Sequence, residues 1–241
     1  MPSLSYLIIK RIPYYLVLID DKYIEYISMF SDHLSICSDI IIDLQKKIAK
    51  DVISKDTLHK KIEYICGVDV SYKRNTAYCS AVIMKEDTLD LIESVNTKSV
   101  VKHPYIPGLF ILRESEPILT TLKLLKNHYD LLLVDGHGIL HPRKCGLASY
   151  IGVLIDKPTI GVAKSILCGS IMEDQSVEYD GTVLGFAIKK EGKKQIYVSV
   201  GHKISLTTAI QIIKRLIKKE EWLPEPLRIA DLNSKSYLNF D

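Results

Sequence analysis

A short, wholly apolar run at 131–134 is followed directly by an acidic residue. A run of that length without polar alternation predicts a strand covered on both faces, as in a parallel or mixed sheet. Asp135 follows at once and opens an Asp-Gly-His-Gly segment at 135–138. Because ligands of open α/β sheets lie beyond the carboxyl ends of the strands, Asp135 stands where a functional group is expected.

Helical and strand-like patterns alternate on both sides of that run. Some segments repeat apolar residues at helical spacing, and others are short β-branched or aromatic runs bounded by polar turns. The predicted helices span 38–54, 113–129, 147–155 and 205–219, and the predicted strands span 64–72, 77–84, 88–95, 131–134, 159–163, 183–188 and 196–200. This order predicts an α/β fold with a mixed sheet flanked by helices.

Composition narrows the function classes without choosing one. The 241-residue chain carries 32 Lys and Arg against 29 Asp and Glu, a net charge of +3. With so small a net charge, a nucleic acid must be held by local clusters rather than by an overall positive field. The 5 cysteines form no C-x-x-C pair and no zinc spacing, which favours a reducing, cytoplasmic location.

The N-terminal segment, residues 1–20, is apolar but is interrupted by Lys10, Arg11 and Pro13. It lacks the uninterrupted core of a signal peptide and is too broken to span a bilayer, so no membrane contact is expected. We predict a strand-like pair or a packing arm there. The simplest organisation is one domain with an appendage.

Two aspartates stand in, or directly after, apolar strands. Asp69 lies between two valines, where a carboxylate needs a partner or a cation, although a water-facing residue of an edge strand is the ordinary alternative. Asp135 before a glycine can be a simple turn former. Its loop, however, continues through two histidines and two cations within residues 137–144. That concentration is hard to explain as a turn.

Two further carboxylates can complete a metal site. Glu114 opens the helix predicted at 113–129, where it can instead stabilise the helix dipole, and Asp231 lies near the C-terminus. If three or four carboxylates converge, their oxygen ligands suit Mg²⁺ or Mn²⁺ rather than zinc. Such cations support an in-line displacement at phosphorus, so the predicted reaction is phosphoryl transfer to water.

Lys164 follows the strand predicted at 159–163 and therefore joins the same sheet edge. Its ammonium can offset the negative charge of a phosphoryl transition state. A surface lysine with its stem on apolar residues is the alternative interpretation.

The loop at 103–108 places Tyr105 and Ile106 between Pro104 and Pro107. The two prolines stiffen the backbone, and a rigid aromatic residue can enter a base stack in place of a displaced base. A loop pinned by its own hydrophobic contacts is the commoner case and remains open.

Six segments together match a known family in order and spacing. They are Gly67-Val68-Asp69-Val70-Ser71-Tyr72, Pro104-Tyr105-Ile106-Pro107-Gly108, Arg113-Glu114, Asp135-Gly136-His137-Gly138 with His141-Pro142-Arg143, Gly146-Leu147-Ala148-Ser149, and Pro158-Thr159-Ile160-Gly161-Val162-Ala163-Lys164. They resemble endonuclease V, the repair nuclease that acts on strands containing deaminated adenine. The resemblance implies a ribonuclease H-like fold and a catalytic domain at 37–241, and residues 1–36 are an extension of unknown role.

The resemblance also implies an activity and a set of site residues. The activity is Mg²⁺-dependent cleavage, with Mn²⁺ as a substitute, of the second phosphodiester bond on the 3′ side of a deoxyinosine, leaving 3′-hydroxyl and 5′-phosphate ends. The implied metal ligands are Asp69, Glu114, Asp135 and Asp231, and these residues and Lys164 are the implied catalytic set. The implied substrate contacts are Tyr105 as a wedge, Ile106, Pro107, the backbone at Gly108 and Gly136, and His141 on a phosphate. Tyr150 departs from the family, which often has histidine there.

Two other classes of protein remain to be weighed. A nuclease of the ribonuclease H fold acting on inosine-containing RNA or branched nucleic acid would use the same carboxylates without needing the Pro-Tyr-Ile-Pro loop. A non-catalytic nucleic-acid-binding protein predicts the loss of an acid, yet Asp69, Glu114 and Asp135 are all present. We therefore expect a monomeric enzyme acting on deoxyinosine in DNA, with inosine-containing RNA as the alternative substrate.

Overall fold

The structure, a computed structural model, describes residues 16–18, 24–26, 34–57 and 61–236. Its strands are β1 (Leu16–Leu18), β2 (Ile24–Tyr26), β3 (Tyr64–Lys73), β4 (Thr76–Lys85), β5 (Leu91–Val100), β6 (Leu131–Asp135), β7 (Thr159–Ala163), β8 (Ser170–Ile171), β9 (Ser176–Tyr179), β10 (Thr182–Lys189) and β11 (Gln195–His202). Its helices are α1 (Leu34–Ile48), extended by a 3₁₀ turn at Ala49–Asp51, α2 (Phe110–Leu122), α3 (Leu147–Ile155), α4 (Leu206–Leu216) and α5 (Glu225–Ser236).

A mixed sheet of nine strands organises the described part of the chain, in the order β5-β4-β3-β6-β7-β11-β10-β9-β8. β3, β6 and β7 run parallel to one another at its centre, and the neighbouring strands on either side are antiparallel. The three parallel strands therefore end at the same edge. The predicted α/β class with a mixed sheet flanked by helices is confirmed.

Alternation along each strand sorts the core into two layers, one on each face of the sheet. On one face, Cys66, Val68, Leu132 and Val134 are fully buried among residues of α1, α2 and α3. On the other face the intervening residues of β3, β6, β7 and β11 pack on α4 and on the chain leading into α5. We call the second the α4/α5 face. It is the face that carries Asp69 and Asp135, since side chains two residues apart along a strand point the same way.

Helix α5 lies directly on β3 because Gly67 has no side chain to hold it off. A Cβ atom at that position would lie 2.7 Å or less from the backbone of Pro226 and Leu227. This close approach brings the C-terminal half of α5 to the end of β3, where Ser234 contacts Asp69. The position of Asp231 in space thus depends on a glycine far from it in sequence.

The predicted elements at the centre of the sheet agree closely with the structure, and three predicted ranges need correction. The helix expected at 38–54 is α1, 34–48, followed by the 3₁₀ turn at 49–51. The helix expected at 113–129 is α2, 110–122, and it ends early because the carboxylate of Glu93 accepts the N–H groups of Lys126 and Asn127. The strand expected at 88–95 is β5, 91–100. It begins only at Leu91, because the chain turns at Leu89 with a φ of 59°, and it continues five residues beyond the predicted end.

Three elements were not predicted: β8, β9 and α5. β8 and β9 are only 2 and 4 residues long, which is too short for a recognisable alternation. α5 has a proline in its first turn, two serines and only three large apolar residues, so it is too polar overall to be recognised as a core-facing helix.

Most of the N-terminal extension lies outside the described residues. Within it, β1 and β2 pair antiparallel, with Val17 opposite Glu25. The predictions for 1–15, 19–23 and 27–33 fall on residues that the structure does not describe, and residues 34–36 are the start of α1. Across the described ranges, every helix is too short or too polar to cross a bilayer.

An ion-pair cluster fixes the start of α5. Glu225 is buried, and its carboxylate accepts hydrogen bonds from Arg228 Nε at 2.7 Å and Lys218 Nζ at 2.7 Å. The hydrogen bond from Arg228 is the largest influence and, with Lys218, lowers the pKa of Glu225 to about 2 from its usual 4.5. A carboxyl whose pKa is lower in the folded state stabilises the fold above its unfolded pKa, and this contribution is lost as the pH falls.

We predict that Glu225→Gln lowers the free energy of unfolding at pH 7 by about 2 kcal/mol, because a buried pair loses its charge. The difference from the unmodified chain should shrink as the pH falls from about 4.5 toward about 2, measured by urea denaturation across that range. Glu221→Gln is the matched control: Glu221 lies 3.7 Å from Arg228 and is more exposed, so its loss should cost under about 1 kcal/mol. Equal effects of the two variants would contradict the assignment.

Candidate active site

The pairing of the central strands places two aspartates side by side. Val68 of β3 pairs with Val134 of β6, so the next residues, Asp69 and Asp135, are neighbours at the same level of the sheet. Asp135 in turn pairs with Val162 of β7, and Lys164 follows two residues later on the same face. Parallel pairing alone therefore gathers two carboxylates and an ammonium at the carboxyl edge of three strands.

Helix α5 adds a third carboxylate from above this face. Single oxygen atoms of Asp69, Asp135 and Asp231 all lie within 4.8 Å of one another. Ser234, one turn further along α5, donates to Asp69 Oδ2 at 2.8 Å and lies 2.7 Å from the hydroxyl of Ser71. We call Asp69, Asp135 and Asp231 the acidic cluster; their side chains are 6%, 18% and 14% exposed.

Lys164 holds the centre of the acidic cluster. Its Nζ is 2.6 Å from Asp231 Oδ1 and 3.7 Å from Asp69 Oδ1, and it forms a close ion pair with Asp135 Oδ2. One ammonium therefore faces three carboxylates, and Lys235 adds a second at 2.7 Å from Asp231. The lysine that sequence placed at the strand end points into the site rather than into solvent.

The acidic cluster has more carboxylates than neighbouring ammonium groups, so negative charge is in excess. Burial, followed by the hydrogen bond and the charge of Asp69, raises the pKa of Asp135 well above its usual value, despite Lys164. Burial alone would raise the pKa of Asp231, but Lys164 and Lys235 outweigh it and lower that pKa. The pKa of Lys164 is raised because Asp135 and Asp69 outweigh its own burial. These shifts show a pocket that favours additional positive charge.

Glu114 lies beside the acidic cluster rather than within it. Its Oε1 accepts a hydrogen bond from Tyr72 Oη at 3.2 Å, on the face of the sheet covered by α2. Burial first, and then the charge of Asp69, raises the pKa of Glu114 to about 8. The sequence predicted three or four converging acids; three converge, and the fourth is close enough to interact electrostatically with Asp69.

The donor set of the acidic cluster fits a divalent cation of the Mg²⁺ class. Its three side chains offer only carboxylate oxygens, which hard cations prefer, and no histidine or cysteine joins them within the described residues. The elevated pKa of Asp135 reports an excess of buried negative charge that such an ion would relieve. Lys164 would compete with the ion for the same oxygens.

The loop after β6 is fixed by hydrogen bonds to β11, which lies beyond β7 in the sheet. The N–H of Gly138 donates to Ser199 Oγ at 2.8 Å, and the N–H of Ile139 donates to the Val200 carbonyl at 2.7 Å. The His137 ring contacts the Ser165 carbonyl at 2.9 Å, and burial lowers the pKa of His137 to about 4. The backbone at Gly136 is therefore held rigidly beside Asp135.

His141 does not point at the acidic cluster. It is 2% exposed, its Nδ1 accepts the N–H of Arg143 at 3.2 Å, and its Nε2 lies 3.0 Å from the Gly108 carbonyl. Burial, then the charge of Arg143, lowers its pKa to about 4, so the ring is neutral at pH 7. The family resemblance implied a phosphate contact for His141, whereas in this structure both ring nitrogens have protein partners.

The proline-bracketed loop presents its aromatic residue to solvent. Tyr105 is 60% exposed, and its ring meets Phe110 edge-on with centroids 4.8 Å apart. Ile106 is partly buried against the core instead. The exposure of Tyr105 on a stiff loop is compatible with the predicted wedge. Ile106 instead packs on the core, as in the alternative interpretation of a loop held by its own hydrophobic contacts.

Three residues of this region were given no role from the sequence, although Tyr72 lies in a segment that matches the family. Ser234 and Gln45 are ordinary polar residues of helices, and Tyr72 precedes a turn; each gains its role only from contacts distant in sequence. Tyr150, where the family often has histidine, is buried in α3 within the hydrophobic core. A contact of Tyr150 with nucleic acid therefore has no support from its placement.

Comparisons with known proteins agree on one family. The family profile described as Endonuclease V matches residues 46–232. Endonuclease V from Thermofilum pendens is 44% identical over 198 residues, covering 80% of this chain and 85% of that protein. The solved structure of Endonuclease V from Streptomyces avermitilis superposes with a TM-score of 0.77 at 30% identity, covering 84% of this chain and 93% of that one.

A further solved structure carries nucleic acid. Ciona intestinalis Endonuclease V, in complex with a 24mer DNA containing an inosine followed by a ribo-adenosine, superposes with a TM-score of 0.77 at 29% identity. The alignment covers 86% of this chain and 99% of that protein.

We predict that Lys164→Met destabilises the cation-free protein by about 2 kcal/mol, because three buried carboxylates lose their central counter-charge. Added Mg²⁺ should then raise the melting temperature of the variant more than that of the unmodified chain, in thermal melts with and without the ion. Lys235→Met, which removes an exposed partner of Asp231 alone, should cost less than about 1 kcal/mol. Identical responses to Mg²⁺ in all three proteins would argue against a cation site here.

Proposed function

We propose that this chain, which belongs to the endonuclease V family, cleaves DNA at the second phosphodiester bond on the 3′ side of a deoxyinosine and so serves the repair of deaminated adenine. The observation that carries the proposal is the convergence of Asp69, Asp135 and Asp231 around Lys164 at the carboxyl edge of parallel strands. Family membership gives the enzyme class, a nucleic-acid endonuclease. The bond, the lesion and the ion are proposals.

Asp69, Asp135 and Asp231 would hold Mg²⁺, with Mn²⁺ as a substitute, and Glu114 would complete the set. When bound, such an ion stabilises negative charge at phosphorus and acidifies the attacking water. Asp69 keeps its orientation through the Ser234 hydroxyl, so the carboxylate is preorganised rather than free to rotate. Lys164, once displaced from the carboxylates, can place its ammonium on a phosphate oxygen.

Glu114 is suited to handle a proton. Burial raises the pKa of Glu114 to about 8, so its carboxyl is mostly protonated at pH 7 in the absence of a cation, and the hydroxyl of Tyr72 orients Oε1. Additional positive charge in the site would favour the carboxylate form and lower that pKa. We assign Glu114 as a ligand or proton acceptor beside the acidic cluster.

Two loops would recognise the lesion. The exposed ring of Tyr105 would separate the strands, supported by Ile106 and Pro107, and the rigid backbone at Gly108 and Gly136 would face the extruded hypoxanthine. The inosine-containing DNA bound by the Ciona intestinalis protein supports a deoxyinosine substrate. Inosine-containing RNA is the second candidate, since a contact to the 2′-hydroxyl decides between the two.

The purified chain should nick a labelled duplex containing one deoxyinosine in the presence of Mg²⁺ and spare the same duplex with adenine. Product ends mapped on a sequencing gel should locate the break at the second bond 3′ of the lesion. A matched oligonucleotide with inosine in RNA, assayed in parallel, decides the nucleic-acid preference. Equal or absent nicking of both DNA duplexes would sink the substrate assignment.

Asp135→Asn should reduce nicking at least about 100-fold, because the acid is replaced by a neutral side chain of nearly the same shape. Lesion binding, measured in Ca²⁺ by fluorescence anisotropy, should remain within a few-fold of the unmodified chain. Asp180→Asn, an exposed turn residue remote from the acidic cluster, is the control and should leave nicking unchanged. Nicking retained by Asp135→Asn would remove the metal mechanism.

A further inference from the structure

The carbonyl oxygen of Gly108 lies within hydrogen-bonding distance of three side chains from two separate parts of the chain. Arg143 Nη2 donates at 2.7 Å, His141 Nε2 lies at 3.0 Å and Gln45 Nε2 donates at 3.2 Å. Gly108 closes the 104–108 loop with a φ of 78°, a left-handed conformation suited to glycine. So many donors on the last carbonyl of a loop need an explanation beyond the packing of the loop itself.

These donors form a closed network. Arg143 Nε donates to Gln45 Oε1 at 2.7 Å, and Gln45 Nε2 also donates to the Cys145 carbonyl at 2.8 Å. Because His141 Nδ1 accepts the N–H of Arg143, the ring proton lies on Nε2 and points at Gly108. Gln45 is fully buried and His141 nearly so, which makes an unpaired member costly.

The other end of the loop is held separately. Arg113 Nη1 donates to the His103 carbonyl at 3.1 Å, and its guanidinium stacks 4.1 Å from the centroid of the Tyr72 ring. Between the two anchored ends, only Tyr105 combines a large side chain with strong exposure. The loop is therefore fixed at both ends and presents one aromatic residue.

We propose that Gln45, His141 and Arg143 are positioning residues that clamp the Gly108 carbonyl and thereby set the pose of Tyr105 toward nucleic acid. The clamp joins the 104–108 loop to α1 and to the segment that begins at Asp135. It acts through Tyr105 and the backbone at Gly108, without itself contacting the substrate. The part of this proposal that concerns nucleic acid rests on the proposed function, and the network itself does not.

Hydrogen exchange tests the clamp without any activity. In Arg143→Gln, amides of residues 103–110 should exchange about 10-fold faster by mass spectrometry, since a charged hydrogen bond to the loop is lost. Strands β3 and β6 should keep their protection. Lys144→Gln removes the same charge from an exposed neighbour and should change neither. Unchanged exchange at 103–110 in Arg143→Gln would overturn the proposal.

A double-mutant cycle tests whether the clamp acts through Tyr105. The readout is the ratio of nicking rates on deoxyinosine in a duplex and in a single strand, because only the duplex needs its strands parted. Arg143→Gln and Tyr105→Ala should each lower this ratio about 10-fold, and together lower it no further. Arg143→Lys, which can reach Gly108 but cannot also engage Gln45, should fall between the unmodified chain and Arg143→Gln.

Each outcome of the cycle has one interpretation. A combined loss near 100-fold would mean that Arg143 contacts the nucleic acid directly, which overturns the clamp. Equal losses on both substrates would mean a structural role alone, which also overturns it. If Arg143→Gln does not fold, Arg143→Lys carries the same comparison. If the unmodified chain nicks neither substrate, the proposed function fails while the exchange experiment still decides the clamp.

Discussion

The pairing of two parallel strands holds two carboxylates side by side, and the surrounding structure has to compensate their charge. The register of β3 and β6 brings Asp69 and Asp135 together where little solvent reaches them. Like charges at such spacing repel strongly in a low dielectric, so the fold must supply compensation at that edge. Lys164 provides it from β7, and Ser234 provides a hydrogen bond from α5. The close packing of α5 on Gly67 therefore contributes to this compensation, because it brings Ser234 to Asp69.

Much of this centre follows from sequence because its signals are local. A wholly apolar run bounded by an acid indicates both a buried strand and its functional end, and 131–135 shows it plainly. The same logic places Asp69 and Lys164, since period-two alternation fixes the face on which each side chain lies. Once the strands are parallel, the three groups must meet. The fold class and the pairing of Asp69, Asp135 and Lys164 can therefore be predicted from the sequence.

What escaped prediction depends on contacts between distant segments. Asp231 was a candidate ligand from the sequence, but the helix α5 that brings it into the site was not predicted, because α5 has few large apolar residues. The docking of α5 also requires the absence of a side chain at Gly67. The family resemblance implied a phosphate contact for His141, yet in this structure its Nε2 contacts a carbonyl 33 residues away. The local sequence pattern identifies residues whose side chains could bind a metal or take part in catalysis. It does not identify their hydrogen-bond partners, because tertiary packing determines which groups are buried together.

Residues 135–145 connect the acidic cluster to the loop that carries Tyr105. It begins at Asp135 in the acidic cluster, is fixed to β11 at Gly138, and ends at Arg143 and Cys145, which engage the network around Gly108. Because rigid, hydrogen-bonded backbone separates these points, the distance between the carboxylates and the Tyr105 loop is set by the fold. If the chain acts as proposed, the enzyme can break a bond at a fixed distance from the lesion without recognising the bases between them. Recognition of one extruded base would place the scissile phosphate by geometry alone.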